Sequence, residues 1–397
     1  MSTLKVDAIR HNSATSDAIT TAADGTCTAR ITGMTGGGQL SHRNKVINGA
    51  MTISQRGTSF SSASNAYHLD RFFHNGSNDG AVTISQSTTS PDGFANSYKV
   101  DVTTADTSIA ATQYIQIYQR IEAQNLQDLA FGTSAAKTIT VSFYVRSNLT
   151  GTYTFAMQQP DSSYRMMSQT YTINSANTWE RKTFTVVGDT SGGINNDNGD
   201  GLNLFWNLAI GSNYTTGSSS SSFITYAQTN FAAGHTANIL SSTSNEFYLT
   251  GVQLEVGDTA TSFEHRSYQD ELMRCYRYFY AHSGQGVNGS TPNPAPDTNI
   301  NNCSCQATTS VSYNIPLPVP MRVVPTLYST VTGSTRYRVN SAGANTNSGS
   351  NPTINSVLST HNMVSGAVAG FSGLVAGQAA NVRRYLGTGI LGFQAEL

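Results

Sequence analysis

Residues 245–280 constrain the fold most. Phe247 and Leu249 point to one side of an extended chain, and Val252 and Leu254 continue that apolar face after a one-residue slip of phase. Gly251 stands at the slip, which predicts a β-bulge. After Gly257-Asp258 and an exit loop, Ser267 can cap a helix whose first turn places Asp270 and Glu271 at the positive end of its dipole. Leu272, Tyr276 and Phe279 or Tyr280 recur at helical spacing, so the helix is expected to lie on an apolar surface. Strand, loop and helix in succession mark the border between two units.

The 397 residues are enough for two or three domains. Charged residues make up only 11%, with 22 basic against 23 acidic, so the chain offers no electrostatic footprint for nucleic acid or an anionic membrane. Its 19 Tyr and 16 Phe, set among Ser, Thr, Asn and Gly, fit an all-β protein rich in turns. Cys27, Cys275, Cys303 and Cys305 lack the paired spacing of a metal site and read as free thiols. No apolar run reads as a signal peptide or spans a bilayer, so no membrane insertion is expected.

Residues 1–40 cannot bury a core alone and read as an extended N-terminal segment, with Gly36-Gly37-Gly38 as a hinge or close-packed turn. Residues 41–266 read as a β-sandwich. Its candidate strands lie near 81–86, 97–102, 114–121, 138–146, 152–158, 179–187, 202–208 and 245–256. Two inner faces are plain: Ile139, Val141, Phe143 and Val145, then Leu202, Leu204, Trp206 and Leu208. Residues 126–129 can form one helical turn, and the five serines 218–222 predict an exposed loop. Residues 267–283 hold the linking helix, and 284–397 a smaller C-terminal β domain. That domain begins with a loop at 284–302 and has strands near 304–313, 326–331, 337–339, 353–358, 363–371 and 389–395. The alternating prolines of 315–325 keep that run extended and out of a central strand.

The chain shows no phosphate loop, no zinc-protease helix and no nucleophile elbow. Glu255, Asp258, Glu264 and His265 are close in sequence, but a solvent-facing strand position, a turn and exit-loop pairing with Arg266 account for them, and nothing ties Glu122 or Asp128 to a cleft. No enzymatic role is expected. Asn195, Asp197 and Asp200, in a glycine-bearing loop, carry the oxygen chemistry of a structural calcium site; the same residues are ordinary turn formers. No other cofactor is implied. Sugar binding needs aromatic faces with amide or carboxylate partners, and Tyr67, Tyr164, Tyr214 and Tyr226 are the exposed candidates for glycan contact.

The run from Thr250 to Tyr268, with Glu271-Leu272 and Cys275-Tyr276-Arg277-Tyr278 after it, resembles a segment common in tail-fibre and appendage proteins of marine tailed bacteriophages. The opening Met-Ser-Thr-Leu-Lys-Val-Asp-Ala-Ile, the Pro-Val-Pro-Met-Arg run and the terminal Phe393-Gln-Ala-Glu-Leu397 resemble parts of the same family, and Val46 and Ile47, within residues 44–57, resemble the opening strand of its sandwich. The resemblance implies a jelly-roll sandwich of the carbohydrate-binding-module kind in a structural virion protein. It further implies residues 1–40 attached to other tail or virion proteins, homotrimerisation, a host cell-surface glycan as partner, and assembly in the host cytoplasm. A capsid fibre or decoration protein, a glycan-degrading tailspike and a bacterial carbohydrate-binding module are the alternatives.

Overall fold

The computed structural model describes residues 8–9, 19–21, 27–29, 42–61, 65–283, 298–330, 337–341, 344–348, 350, 352–355, 358–384 and 390–397. Gly36-Gly37-Gly38 lies outside them. Near the N-terminus β1 (Ala8–Ile9), β2 (Ile19–Thr21) and β3 (Cys27–Ala29) pair as a small antiparallel sheet. The next strands are β4 (Ser59–Phe60), β5 (Ala66–Tyr67), β6 (Phe73–Ser77), β7 (Ala81–Ser87), β8 (Ser97–Thr104), β9 (Tyr114–Glu122) and β10 (Ile139–Ser147). They continue with β11 (Gly151–Gln159), β12 (Arg165–Ile173), β13 (Glu180–Val186), β14 (Asp200–Ile210), β15 (Ser220–Ile224) and β16 (Glu246–Val256). One sheet has the order β13-β10-β16-β8-β7-β4 and the other β15-β12-β11-β14-β9-β6-β5. The chain passes back and forth between them, the path of a jelly roll.

Both inner faces are where alternation places them. Ile139, Val141, Phe143 and Val145 on β10 meet Leu202, Leu204, Trp206 and Leu208 on β14 in one fully buried core. Phe143 packs edge-on against Trp206 with ring centroids 5.6 Å apart. The bulge is also present. The β10–β16 register slips between Ser142 and Tyr144, so Gly251 and Val252 together oppose Phe143. Gly251 takes φ 60°, and a Cβ there would stand 2.8 Å from the rings of Phe94 and Tyr144, so only glycine fits.

Several expectations need correction. Val46 and Ile47 form no strand. The segment is instead held by the Asn44 side chain, whose Oδ1 accepts from the amides of Val46 and Leu254, and by one backbone bond from Lys45 to Leu254. Strands β6 and β12 were not visible from alternation, because both faces of β12 are covered: Met167 enters the main core while Met166 joins a second cluster on the other side. Part of the serine run is the edge strand β15, paired with β12, since an edge ladder needs main-chain bonds rather than strand-forming side chains.

The helix α1 (Tyr268–Tyr276) is capped as expected, with Ser267 Oγ accepting from the Asp270 amide at 3.1 Å. It buries Glu271 and Cys275, while Leu272 and Tyr276 are half-buried. The surface beneath it is polar: Glu271 accepts from the Asn48 amide at 2.5 Å and pairs with Arg266. The helix also ends earlier than 283, because residues 279–283 form strand β17 (Phe279–Ser283).

Beyond it lie β18 (Thr298–Ala307), β19 (Ser310–Pro316), β20 (Thr326–Ser329), β21 (Tyr337–Ser341), β22 (Ala344–Ser348), β23 (Thr353–Ile354), β24 (Met363–Ala369), β25 (Ala379–Arg384) and β26 (Leu391–Gln394). They form the sheets β17-β26-β20 and β22-β21-β25-β18-β19-β24-β23 over a separate core that includes Tyr313, Met321, Val364 and Phe393. The expected strand at 304–313 is a hairpin that turns at Thr308-Thr309. Residues 298–302 belong to β18 rather than a loop, and 284–297 lie outside the described residues. Only Thr353–Ile354 of the expected strand 353–358 is extended, and β22 and β25 were not foreseen.

The two cores meet through charge. Glu122, fully buried, accepts from Arg277 Nε at 2.8 Å and Nη2 at 2.5 Å and from the Tyr278 hydroxyl at 2.7 Å. Burial raises its carboxyl, but these bonds outweigh that and hold it below the usual carboxylate value. Arg56 and Arg71 both pair with Glu396, and their guanidinium groups lie 3.6 Å over Phe279 and Tyr278 respectively. Glu122, which nothing in the sequence tied to a cleft, is thus a junction residue.

Candidate functional site: the outer face of the seven-stranded sheet

With Leu204 and Trp206 of β14 turned into the core, Asn203, Phe205 and Asn207 face the other way. The register then sets Tyr118 of β9 opposite Phe205, Phe73 of β6 opposite Tyr118, and Tyr67 of β5 opposite Phe73. The result is one aromatic row across the sheet. Successive ring centroids are 5.0 Å (Tyr67 to Phe73), 4.8 Å (Phe73 to Tyr118) and 5.2 Å (Tyr118 to Phe205) apart. Phe231 extends it by another 5.2 Å, edge-on to Phe205. Of the central three rings, Tyr118 and Phe205 are buried and Phe73 is half-buried.

Amides flank the row. Asn75, Gln116 and Asn207 stand opposite one another on one side, and Asn203 stands opposite Arg120 and Gln158 on the other. The side-chain oxygens of Gln116, Asn203 and Asn207 are buried with no hydrogen-bond partner. A buried acceptor left unmade costs about 1–3 kcal/mol, so these oxygens are the unspent hydrogen-bonding capacity beside the row. Asn207 is the least accessible. Its Nδ2 donates to Thr154 Oγ1 at 3.0 Å, which in turn meets His235 Nδ1 at 3.1 Å. Burial lowers the His235 imidazole to about 4, so it is neutral at pH 7.

Both ends of the face are closed. Residues 211–235 bring Tyr214, Phe231 and Ala232 over one end. At the other, Tyr67 OH donates to the Leu397 carbonyl at 3.0 Å and Arg120 Nη1 donates to the same oxygen. Arg120 Nη2 also donates to the Tyr118 hydroxyl at 2.8 Å. Burial raises the Tyr118 phenol against the lowering pull of Arg120, so the hydroxyl stays protonated and available as a donor.

The four tyrosines expected to meet sugar are not gathered in one place. Tyr67 ends the row, but its hydroxyl is spent on Leu397 and its ring is mostly covered, which corrects its reading as an exposed platform. Tyr214 packs edge-on to Tyr114 at the opposite margin, with Tyr226, 42% exposed, beside it. Tyr164 is 55% exposed at the tip of the β11–β12 connection rather than on the sheet. Phe73, Tyr118, Phe205, Gln116 and Asn203 were missed. A signal for two strands was there: Gln116-Tyr118-Arg120 and Asn203-Phe205-Asn207 put an aromatic ring between polar residues on the phase that faces away from the core.

The other candidates are structural in their contacts. Glu255 is not on a solvent face: it is buried and accepts from the amide and hydroxyl of Thr261 and from Gln253. Glu264 accepts from the amides of Arg43 and Asn44. In the loop read for calcium, Asn195 donates twice to Asp161, Asp197 accepts from the Gly199 amide, and Asp200 pairs with Arg120 at 3.4 Å. Among the described residues no three His, Cys, Asp or Glu side chains are grouped to hold a metal. Cys275 and Cys305 are buried free thiols and Cys303 a half-buried one. No described helix is long and apolar enough to cross a membrane.

No protein-family model and no curated protein matches the chain. Among solved structures it is similar to the enzymatically active domain of bacteriophage CBA120 tailspike protein 4, at 11% identity and a TM-score of 0.29, over 54% of this chain and 21% of that one. The chain therefore spans about a fifth of the tailspike's length. A family 4 carbohydrate-binding module matches at 16% identity and a TM-score of 0.28, over 52% of this chain and 99% of the module. The family 11 carbohydrate-binding module of a Clostridium thermocellum cellulosomal cellulase matches at 11% and 0.26, over 53% and 98%. With TM-scores this low, these structures assign neither a ligand nor an activity to this chain.

Proposed function

We propose that this chain is a non-catalytic glycan-binding protein of a virion appendage, and that the sugar lies along the outer face of the seven-stranded sheet. The aromatic row with unpartnered amide oxygens beside it is the observation that carries this reading. A pyranose has apolar faces and a rim of hydroxyls. Its faces stack on Phe73, Tyr118 and Phe205, and its hydroxyls donate to Gln116 and Asn203. Glu122 and Asp200, at the ends of β9 and β14, and Glu396, close to Tyr67, are paired with arginines, which supports binding without hydrolysis.

The resemblance to phage appendage proteins supplies the setting: a tail fibre attached through residues 1–40, trimeric, and adsorbing to host glycan. Several shallow sites on one particle act together through effective concentration. A screen of the full chain against a glycan array, with Phe73→Leu and Gln116→Leu in parallel, tests the reading. Binding by the native protein that both substitutions weaken is the expected result. No binding to any glycan would leave an architectural fibre or capsid decoration protein.

A further inference from the structure

A second polar cleft lies at the β6–β7 connection, where the sandwich core opens to solvent. It encloses about 360 Å³ and is lined by Asn65, His74, Gly76, Ser77 and Asn78, with Ile115 at its apolar base. His74 pairs across the ladder with Ile117, so it occupies a core-side position where the neighbouring strands place aliphatic residues. It is 3% exposed, and its Nδ1 has no partner. Burial, with His68 nearby, lowers the imidazole to about 3, so the ring is neutral: one nitrogen donates and the other accepts. A neutral imidazole buried with an unmade bond is costly unless something fills it.

Gly76 makes room at this ring. Its backbone needs no glycine, yet a Cβ there would stand 2.9 Å from Asn78 Nδ2 and 3.6 Å from His74 Nε2. The amides around it are fixed: Asn65 Oδ1 accepts from the Gly76 amide at 2.7 Å, Asn78 Oδ1 accepts from Gly80, and Asn78 Nδ2 donates to the Tyr114 carbonyl. The lining carries no charged side chain, which disfavours an ionic occupant.

We propose that this cleft binds one neutral sugar unit, with a ring hydroxyl meeting His74 Nε2 in the space that Gly76 leaves open. A hydroxyl both donates and accepts, so it satisfies either imidazole tautomer. The volume falls in the range of small-ligand pockets. This site stands apart from the aromatic row and does not depend on it.

The test is a titration of the full chain, labelled with 15N-histidine, with D-glucose and D-galactose while the ring nitrogens of His74 are followed by NMR. A saturable shift of His74 with at least one sugar is expected. It should be retained in Phe73→Leu and weakened about tenfold or more in Gly76→Ala, and binding of the same sugar to His74→Leu, read by calorimetry, should be weakened as much, with each variant shown to be folded by circular dichroism. Four results would overturn the proposal: no saturable shift with either sugar, a shift unchanged in Gly76→Ala, loss in Phe73→Leu, or a larger response to inorganic phosphate than to sugar.

Discussion

The outer face of the seven-stranded sheet behaves differently at its two ends. Toward the C-terminal sheets, Glu122, Tyr67, Arg120, Arg56 and Arg71 find charged or polar partners in Arg277, Tyr278, Glu396 and Leu397. Beyond Tyr118 on β9 and Phe205 on β14, Gln116 and Asn207 keep buried side-chain oxygens without a hydrogen-bond partner. The ion pairs of the first end join two units, though Arg56 Nη1, Arg71 Nε and Arg120 Nε are also buried there without a hydrogen-bond partner. The contrast is one of ion pairing across a junction against unpaired amide oxygens on the sheet face.

The largest effect should come from the satisfied end. Glu396→Ala removes the carboxylate that both buried arginines, Arg56 and Arg71, pair with, and the expected loss is about 3–5 kcal/mol in urea unfolding. A loss near zero would mean that the two guanidinium groups are held by the rings of Phe279 and Tyr278 alone.

Glu122 gives the pH signature of the junction. Its folded pKa lies below the ordinary value of 4.5, so its contribution is present above about pH 4.5 and is lost as pH falls through the lower folded value. Glu122→Gln should be less stable at pH 7 and should flatten the acid limb of a stability profile below pH 4.5. The loss should be smaller than for Glu396→Ala because Arg277 keeps 29% of its side-chain surface in water. An unchanged acid limb would show that the junction carboxylate is not charge-linked to folding.

At the unsatisfied end the effects should move from stability to binding. Phe73→Leu keeps apolar volume and removes a flat ring, so stability should change by less than about 1.5 kcal/mol while affinity for a bound glycan, read by calorimetry, falls about tenfold. Gln116→Leu should leave stability unchanged or raise it by about 1 kcal/mol, since it deletes an unmade acceptor, and should still weaken sugar binding. If Gln116→Leu is instead destabilising, the amide is structural and the contrast between the ends fails.

Alternation made the core strands legible, since a residue that must leave water repeats every second position. Ile139 through Val145 and Leu202 through Leu208 are read correctly for that reason, as are the Gly251 bulge and the Ser267 cap. Strand β12 was not, because it is covered on both faces and its pattern is blurred. Nor could the aromatic row be read: Phe73, Tyr118 and Phe205 become neighbours only through the register of three strands.

The amino-acid sequence by itself determined the class of structure: an all-β chain with a sandwich, a capped helix and further strands beyond it. Those features follow from local periodicity and backbone chemistry within a few residues. Tertiary structure decided which polar groups are spent and which are left open. Glu122 meets Arg277 from 155 positions away, while the side-chain oxygen of Gln116, six residues before Glu122, has no hydrogen-bond partner. Hydrogen-bond satisfaction is a property of the packed surroundings, and only the folded chain supplies them.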